Sequence, residues 1–135
     1  MDAYYQNLMK QMLVSEDENT VCSPINLYIA FAMLAETSDG NTRQQILDML
    51  GAQDMETLRK NVSSLWESNY ADTPALKSVL ANSLWLDGEE TYNDTTLQRL
   101  AEQYYASTFC GTPGSEEMNQ ALRTLSLIHI SEPTR

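Results

Sequence analysis

An α+β fold is what this sequence predicts, and three observations carry that reading. Apolar residues recur three and four apart along most of the chain, the spacing of helices that bury one face. One stretch, Ile25 to Ala35, is apolar at almost every position, which predicts a central helix buried on all sides. Short runs such as "TVCS" and "STFCGT" interrupt the helical spacing with strand-like composition.

The elements follow in chain order. Tyr4, Tyr5, Leu8, Met9 and Met12 define an opening amphipathic helix, closed by the acidic loop "SEDEN". After "TVCS", Ser23 and Pro24 suit an N-cap and a first helical position: the hydroxyl can accept from a free N–H, and the proline ring has none to satisfy. "SDGN" ends the apolar helix, with Gly40 able to turn left-handed. Thr42 with Gln45 forms a capping-box pattern that opens the next helix, and Gly51 closes it. Asp54 caps a further helix with Met55, Leu58, Val62, Leu65 and Trp66 on one face, until Thr73-Pro74 breaks the spacing.

"ALKSVLANSLWLDG" reads two ways, because Leu76, Leu80, Leu84 and Leu86 alternate with Val79, Ala81 and Trp85, and both sets are apolar. Such a run is either a buried helix or a strand covered on both faces. Asn93 or Asp94 then caps a helix carrying Leu97, Leu100, Ala101, Tyr104 and Tyr105. Pro113-Gly114 with Ser115 leads into a last helix with Met118, Ala121, Leu122 and Leu125.

The length, 135 residues, suits one ordinary domain. A net charge of −11 repels phosphate backbones and anionic lipid, so neither nucleic acid nor membrane is an expected partner. No run approaches the roughly 18 apolar residues of a membrane span, and "MDAYYQNLMKQML" lacks the basic start and cleavage site of a signal peptide. The expectation is a soluble chain without an export signal. Cys22 and Cys110 lie far apart inside apolar segments and read as two buried thiols.

No catalytic constellation emerges. His129 is the only histidine, which leaves no histidine-based triad and too few ligands for a histidine-cysteine metal site. Glu89/Glu90 and Glu116/Glu117 sit at turns or first helical turns, where solvation and the positive helix end explain them. The glycines are scattered, with no phosphate loop or dinucleotide fingerprint. "NVS" at Asn61 and "NDT" at Asn93 match the glycosylation acceptor pattern, and Asn93 reads as a helix cap. The expectation is no enzyme, no metal and no cofactor.

Taken in order, "NTVCSPINLYIAFAMLAETSDGNTRQQILDMLG", "SVLANSLWLDGEETYNDTTLQRLAEQYYAS" and "EEMNQALRTL" resemble the N-terminal portion of a serpin, the serine protease inhibitor family. The resemblance covers nearly all of residues 3 to 124. It implies that Leu76 to Leu86 is a strand of a large central sheet, hence apolar on both faces. It also implies that the corner from Val21 to Pro24 lies beneath that sheet, at the shutter where the sheet parts to admit another strand. Ser23 matches a shutter serine of the family, whereas Asn26 stands where the family often has a second small hydroxyl residue.

The activity implied is inhibition by a suicide substrate. A serine or cysteine protease cleaves an exposed reactive loop, which inserts into the sheet while the acyl-enzyme ester is intact and distorts the protease. That loop and its flanking strands lie toward the C-terminal end of a family member and have no counterpart here, so no reactive centre is expected and the chain itself is expected not to inhibit. Some serpins bind sulfated polysaccharide through a basic helix; the matching helix, Asp54 to Tyr70, sets Arg59 and Lys60 against Asp54, Glu56 and Glu67, and no such cofactor follows. Extracellular locations are common in the family.

After about Thr124 the sequence switches to "LSLIHISEPTR", which matches nothing in the family pattern. It resembles a translated sequencing-adapter read. The expected organisation is therefore a partial serpin domain over residues 1–124 and a non-native tail over 125–135. The rival reading from another class is an acidic helical interaction module that folds alone.

Overall fold

The structure, a computed structural model, describes residues 2–12 and 21–128, with side chains described as far as Leu125. The acidic loop "SEDEN", His129 and Pro133 lie outside these residues. Among the described residues six helices and four strands follow in the order α1 (Asp2–Met12), α2 (Pro24–Thr37), α3 (Gly40–Leu50), α4 (Met55–Asn69), β1 (Ala71–Asp72), β2 (Lys77–Ser78), β3 (Asn82–Asp87), α5 (Asp94–Tyr104), β4 (Ala106–Gly111) and α6 (Glu116–Ile128).

The expected α+β arrangement is observed, with α2 as its axis. This helix packs against α3, α4, α5 and β3, and Tyr4 of α1 closes over its start. Tyr28, Ile29, Leu50, Leu58, Leu100 and Tyr104 are fully buried. Of the buried core cluster only Ala106 lies in a strand, so the core is built by helices. Burial of α2 is not complete on all sides, however. Asn26, Ala30, Leu34 and Thr37 form an exposed stripe at helical spacing, with Leu34 48% exposed.

Most local signals act as the sequence implies. Asp54 accepts from the Thr57 N–H at 2.7 Å and Asn93 from the Thr96 N–H at 3.0 Å. Gly51 closes α3 with φ 68°, a left-handed value that glycine adopts without strain. Two caps differ. Ser23 does occupy the N-cap of α2, and its carbonyl accepts from the Leu27 N–H at 3.1 Å, but its hydroxyl makes no cap bond. Ser23 and Asn26 are exposed, so this first turn is open to solvent. The start of α3 is Gly40, ahead of Thr42: the Asp39 carboxylate accepts from the Gly40 N–H at 2.8 Å, where a negative group also meets the positive helix end.

The ambiguous segment is strand, but in two pieces. β2 pairs antiparallel with β1 across the Thr73-Pro74 turn, and β3 pairs parallel with β4 from Asn82↔Ala106 to Asp87↔Gly111. Residues 79–81 join neither ladder, and Leu76 and Val79 are exposed. The break falls where backbone partners run out, since β1 offers two residues and β4 begins only opposite Asn82. Val21 to Ser23 is likewise not a strand, having no strand partner among the described residues. Cys22 is half-buried and Cys110 exposed, so the expectation of two buried thiols fails. Cys110 sits on β4, beyond which no further strand is described.

α5 is the crossover joining the parallel strands β3 and β4. It ends at Tyr105, the one non-glycine residue with positive φ (52°) among the described residues, a conformation that costs about 1 kcal/mol. The Tyr105 ring stacks on Trp66 at 4.0 Å, and Tyr70 stacks on Trp66 at 4.6 Å, which offsets that strain with aromatic contact.

A helical core makes an asymmetric prediction. Ile29→Ala, at a fully buried site, should destabilise the chain by about 3 kcal/mol, and Leu76→Ala, at a site 61% exposed, by no more than about 0.5 kcal/mol. Urea denaturation followed by far-UV circular dichroism measures both, and similar losses would contradict this placement of the core.

Candidate functional site

The corner from Cys22 to Pro24 is positioned from below by tyrosines. The Tyr4 hydroxyl donates to the Pro24 carbonyl at 3.2 Å, and its ring packs edge-on against Tyr28 at 5.2 Å. Burial, together with neighbouring Tyr5, Cys22 and Tyr28, pushes the Tyr4 hydroxyl up to about 12, so it stays protonated and keeps donating. From this corner Ser23 leads into the exposed stripe Asn26, Ala30, Leu34 and Thr37. β3 reaches only its far end, where Ala30, Met33, Leu34 and Thr37 share a cleft with Ser83 and Leu84. Ser23 and Asn26 are left uncovered.

At the end of α2 lies a group that the sequence reading passed over. Glu36 is buried, its side chain 2% exposed, in the final turn of a largely apolar helix. Arg59 of α4 grips it with two hydrogen bonds, Nε to Oε1 at 2.6 Å and Nη2 to Oε2 at 3.0 Å. Arg99 and Tyr104 of α5 add Nη1 to Oε2 at 3.4 Å and the phenol to Oε1 at 2.9 Å. Burial alone would raise the Glu36 carboxyl; the hydrogen bonds from Arg59 and Tyr104 and the charges of Arg59 and Arg99 outweigh it and hold the group below its ordinary value. Tyr104 is raised by its own burial and then by the carboxylate beside it. The one signal available in sequence was an acidic residue directly after an apolar run expected to be buried.

This geometry also accounts for Arg59 and Lys60. The Arg59 guanidinium is turned inward onto Glu36, and Lys60 pairs with Glu56 at 2.7 Å on the surface.

Beside the helices, the β3–β4 pair carries apolar side chains on both faces. Leu84 packs toward the helical core, while Trp85 stacks on Phe109 at 4.4 Å on the opposite side. Among the described residues this sheet has two strands, so the outer edge of each is open. No described helix is long and apolar enough to cross a membrane.

A central, largely apolar helix is thus half-covered by a parallel strand pair. A family model described as serpin (serine protease inhibitor) matches residues 2–122. The chain belongs to the serpin family. Serpin-ZX of Arabidopsis thaliana is 28% identical over 107 residues, which cover 76% of this chain and 27% of that protein. Serpin-Z2A of Oryza sativa subsp. japonica is 35% identical over 78 residues, covering 56% and 18% respectively. Arabidopsis AtSerpin1 in its native stressed conformation superposes with TM-score 0.73 at 23% identity, covering 92% of this chain and 33% of that one. Tengpin, a thermophilic serpin in the latent state, gives TM-score 0.80 at 23% identity, covering 93% and 34%. The chain thus spans about a quarter of the first plant relative and about a third of these structures. The family is one of protease inhibitors, not of enzymes.

If Glu36 joins three helices, Glu36→Ala should cost about 2–3 kcal/mol at pH 7, less than a fully buried unpaired charge because both guanidinium side chains are roughly one-third exposed. Its lowered carboxyl makes the linkage acid-sensitive: the stabilisation is complete above the ordinary value of 4.5 and fades as pH falls through the lower folded value. Denaturation midpoints from pH 3 to 7 should therefore fall more steeply on the acid side for the parent than for Glu36→Gln.

Proposed function

We propose that this chain is the N-terminal portion of a serpin-type inhibitor, and that the exposed stripe of α2 from Ser23 to Thr37 is the floor over which the intact parent's central sheet parts. The observation that carries the reading is spatial. The uncovered stripe of α2 runs up to the cleft where Ala30, Leu34 and Thr37 meet Ser83 and Leu84 of β3, and among the described residues the β3–β4 sheet has two strands. Ser23, at the head of the stripe, takes the shutter position that the sequence resemblance gives it. Asn26, one turn on, supplies an amide where the family often has a hydroxyl, so its contacts with an overlying strand would differ in kind.

The intact parent acts on a serine or cysteine protease by presenting a loop, forming an acyl-enzyme and inserting the cleaved loop as a strand. The energy comes from a metastable fold relaxing, so the inhibitor needs both a bait loop and a sheet that can receive it. Neither has a counterpart among the described residues, and on this proposal the chain does not inhibit. Incubation with trypsin-, chymotrypsin- and subtilisin-type proteases should give ordinary cleavage on denaturing gels. A stable covalent complex at stoichiometric amounts would overturn the proposal.

The second reading, a self-sufficient acidic helical module, draws on the core cluster, whose buried members lie almost entirely in helices. A monomer with a sharp near-UV spectrum, a two-state melt and no binding of hydrophobic dye would favour it.

The boundary near residue 124 belongs to the same proposal. The family match ends at residue 122, while α6 runs on to Ile128. Deleting Ser126 to Arg135 should change stability by no more than about 0.5 kcal/mol, and a loss of about 2 kcal/mol or more in urea melts would make the tail a structural element.

A further inference from the structure

Two segments carry the Asn-X-Ser/Thr pattern, "NVS" at Asn61 and "NDT" at Asn93, and the fold treats them in opposite ways. Asn61 lies in the interior of α4, half-buried, and its Nδ2 donates to the Tyr28 hydroxyl at 3.2 Å. Tyr28 itself is fully buried in the α2–α4 contact. The one nitrogen that a glycan would need is therefore already committed to the core, and a sugar there would have to separate two packed helices.

Asn93 uses the other end of its amide. It is exposed at the close of the loop 88–93, with extended backbone (φ −81°, ψ 111°), and its Oδ1 accepts from the Thr96 N–H at 3.0 Å and from the Thr96 hydroxyl at 3.4 Å. The residue two further on, Thr95, is also exposed. A glycosylated asparagine keeps its carbonyl oxygen, so the cap on α5 and a sugar on Nδ2 can coexist in one side chain.

We propose that Asn93 is an N-glycan acceptor of this chain when it passes through a secretory compartment, and that the folded protein excludes a glycan at Asn61. The donor class is a polyprenyl-pyrophosphate-linked oligosaccharide. Asn93 Nδ2 attacks the first sugar carbon, a C–N bond forms, the C–O bond to the pyrophosphate breaks, and the displaced amide proton passes to a basic group of the transferase. No oxidant or reductant is involved.

The test is translation of the full chain behind a cleavable secretory leader with endoplasmic-reticulum microsomes, reading only chain protected from added protease. Folded material is then selected by resistance to limited proteolysis after lysis, and sites are mapped by mass spectrometry after release with peptide-N-glycosidase. The expected result is one glycan per folded chain, on Asn93. It should vanish in Asn93→Gln and in Thr95→Ala, which leaves the cap intact, and persist in Ser63→Ala. A bare Asn93 in translocated chain, or proteolysis-resistant chain carrying a glycan on Asn61, would overturn the proposal.

Discussion

The buried Glu36 carboxylate is the constraint on which the rest of the arrangement depends. A lone carboxylate inside a core costs several kcal/mol, and its compensating groups come from elsewhere: Arg59 from α4, Arg99 and Tyr104 from α5. Its charge is satisfied only when both helices dock on α2 together. Placement of the strands then follows from α5. The Tyr104 carbonyl accepts from Asn82 Nδ2 at 2.8 Å, tying the end of α5 to the start of β3, and two residues after Tyr104 the chain enters β4 at Ala106, paired with Asn82. Tyr104 thus touches both the Glu36 carboxylate, through its phenol, and the start of the parallel pair, through its carbonyl.

A parallel pair needs cover on both faces. Helices α2 and α5 supply it on the side of Leu84, and on the other side Gly111 comes so close to α6 that a Cβ there would lie 3.5 Å from the Met118 thioether. Cover is not the same as edge pairing, and the outer ladder edges stay open among the described residues. Part of α2 is likewise bare, with Asn26, Ala30, Leu34 and Thr37 exposed. Both are features of a domain whose relatives extend well beyond the part matched by this chain.

The turn from α5 into β4 shows how local strain is tolerated. Tyr105 adopts a left-handed conformation that an ordinary side chain avoids, yet its ring completes a three-ring stack with Trp66 and Tyr70. Packing between α4 and the α5–β4 turn thereby holds the geometry that a glycine would otherwise provide.

The sequence by itself determined the helices, several of their caps and the family. Asp54, Asn93 and Gly51 act within one turn of their partners, so donor and acceptor are close in the chain and their chemistry is readable there. Only the tertiary structure decided the rest. Glu36 meets partners 23, 63 and 68 positions away, and no local pattern encodes which arginine will arrive. The run from Leu76 to Leu86 was readable as apolar, but its exposure at Leu76 and Val79 and its division into β2 and β3 depend on what packs over it and on where distant backbone offers ladder bonds. Ser23 looked like a capping hydroxyl and Cys110 like a buried thiol. Whether a hydroxyl bonds or a thiol is covered depends on what packs over it, and that is a property of the assembled surface, not of neighbours in sequence.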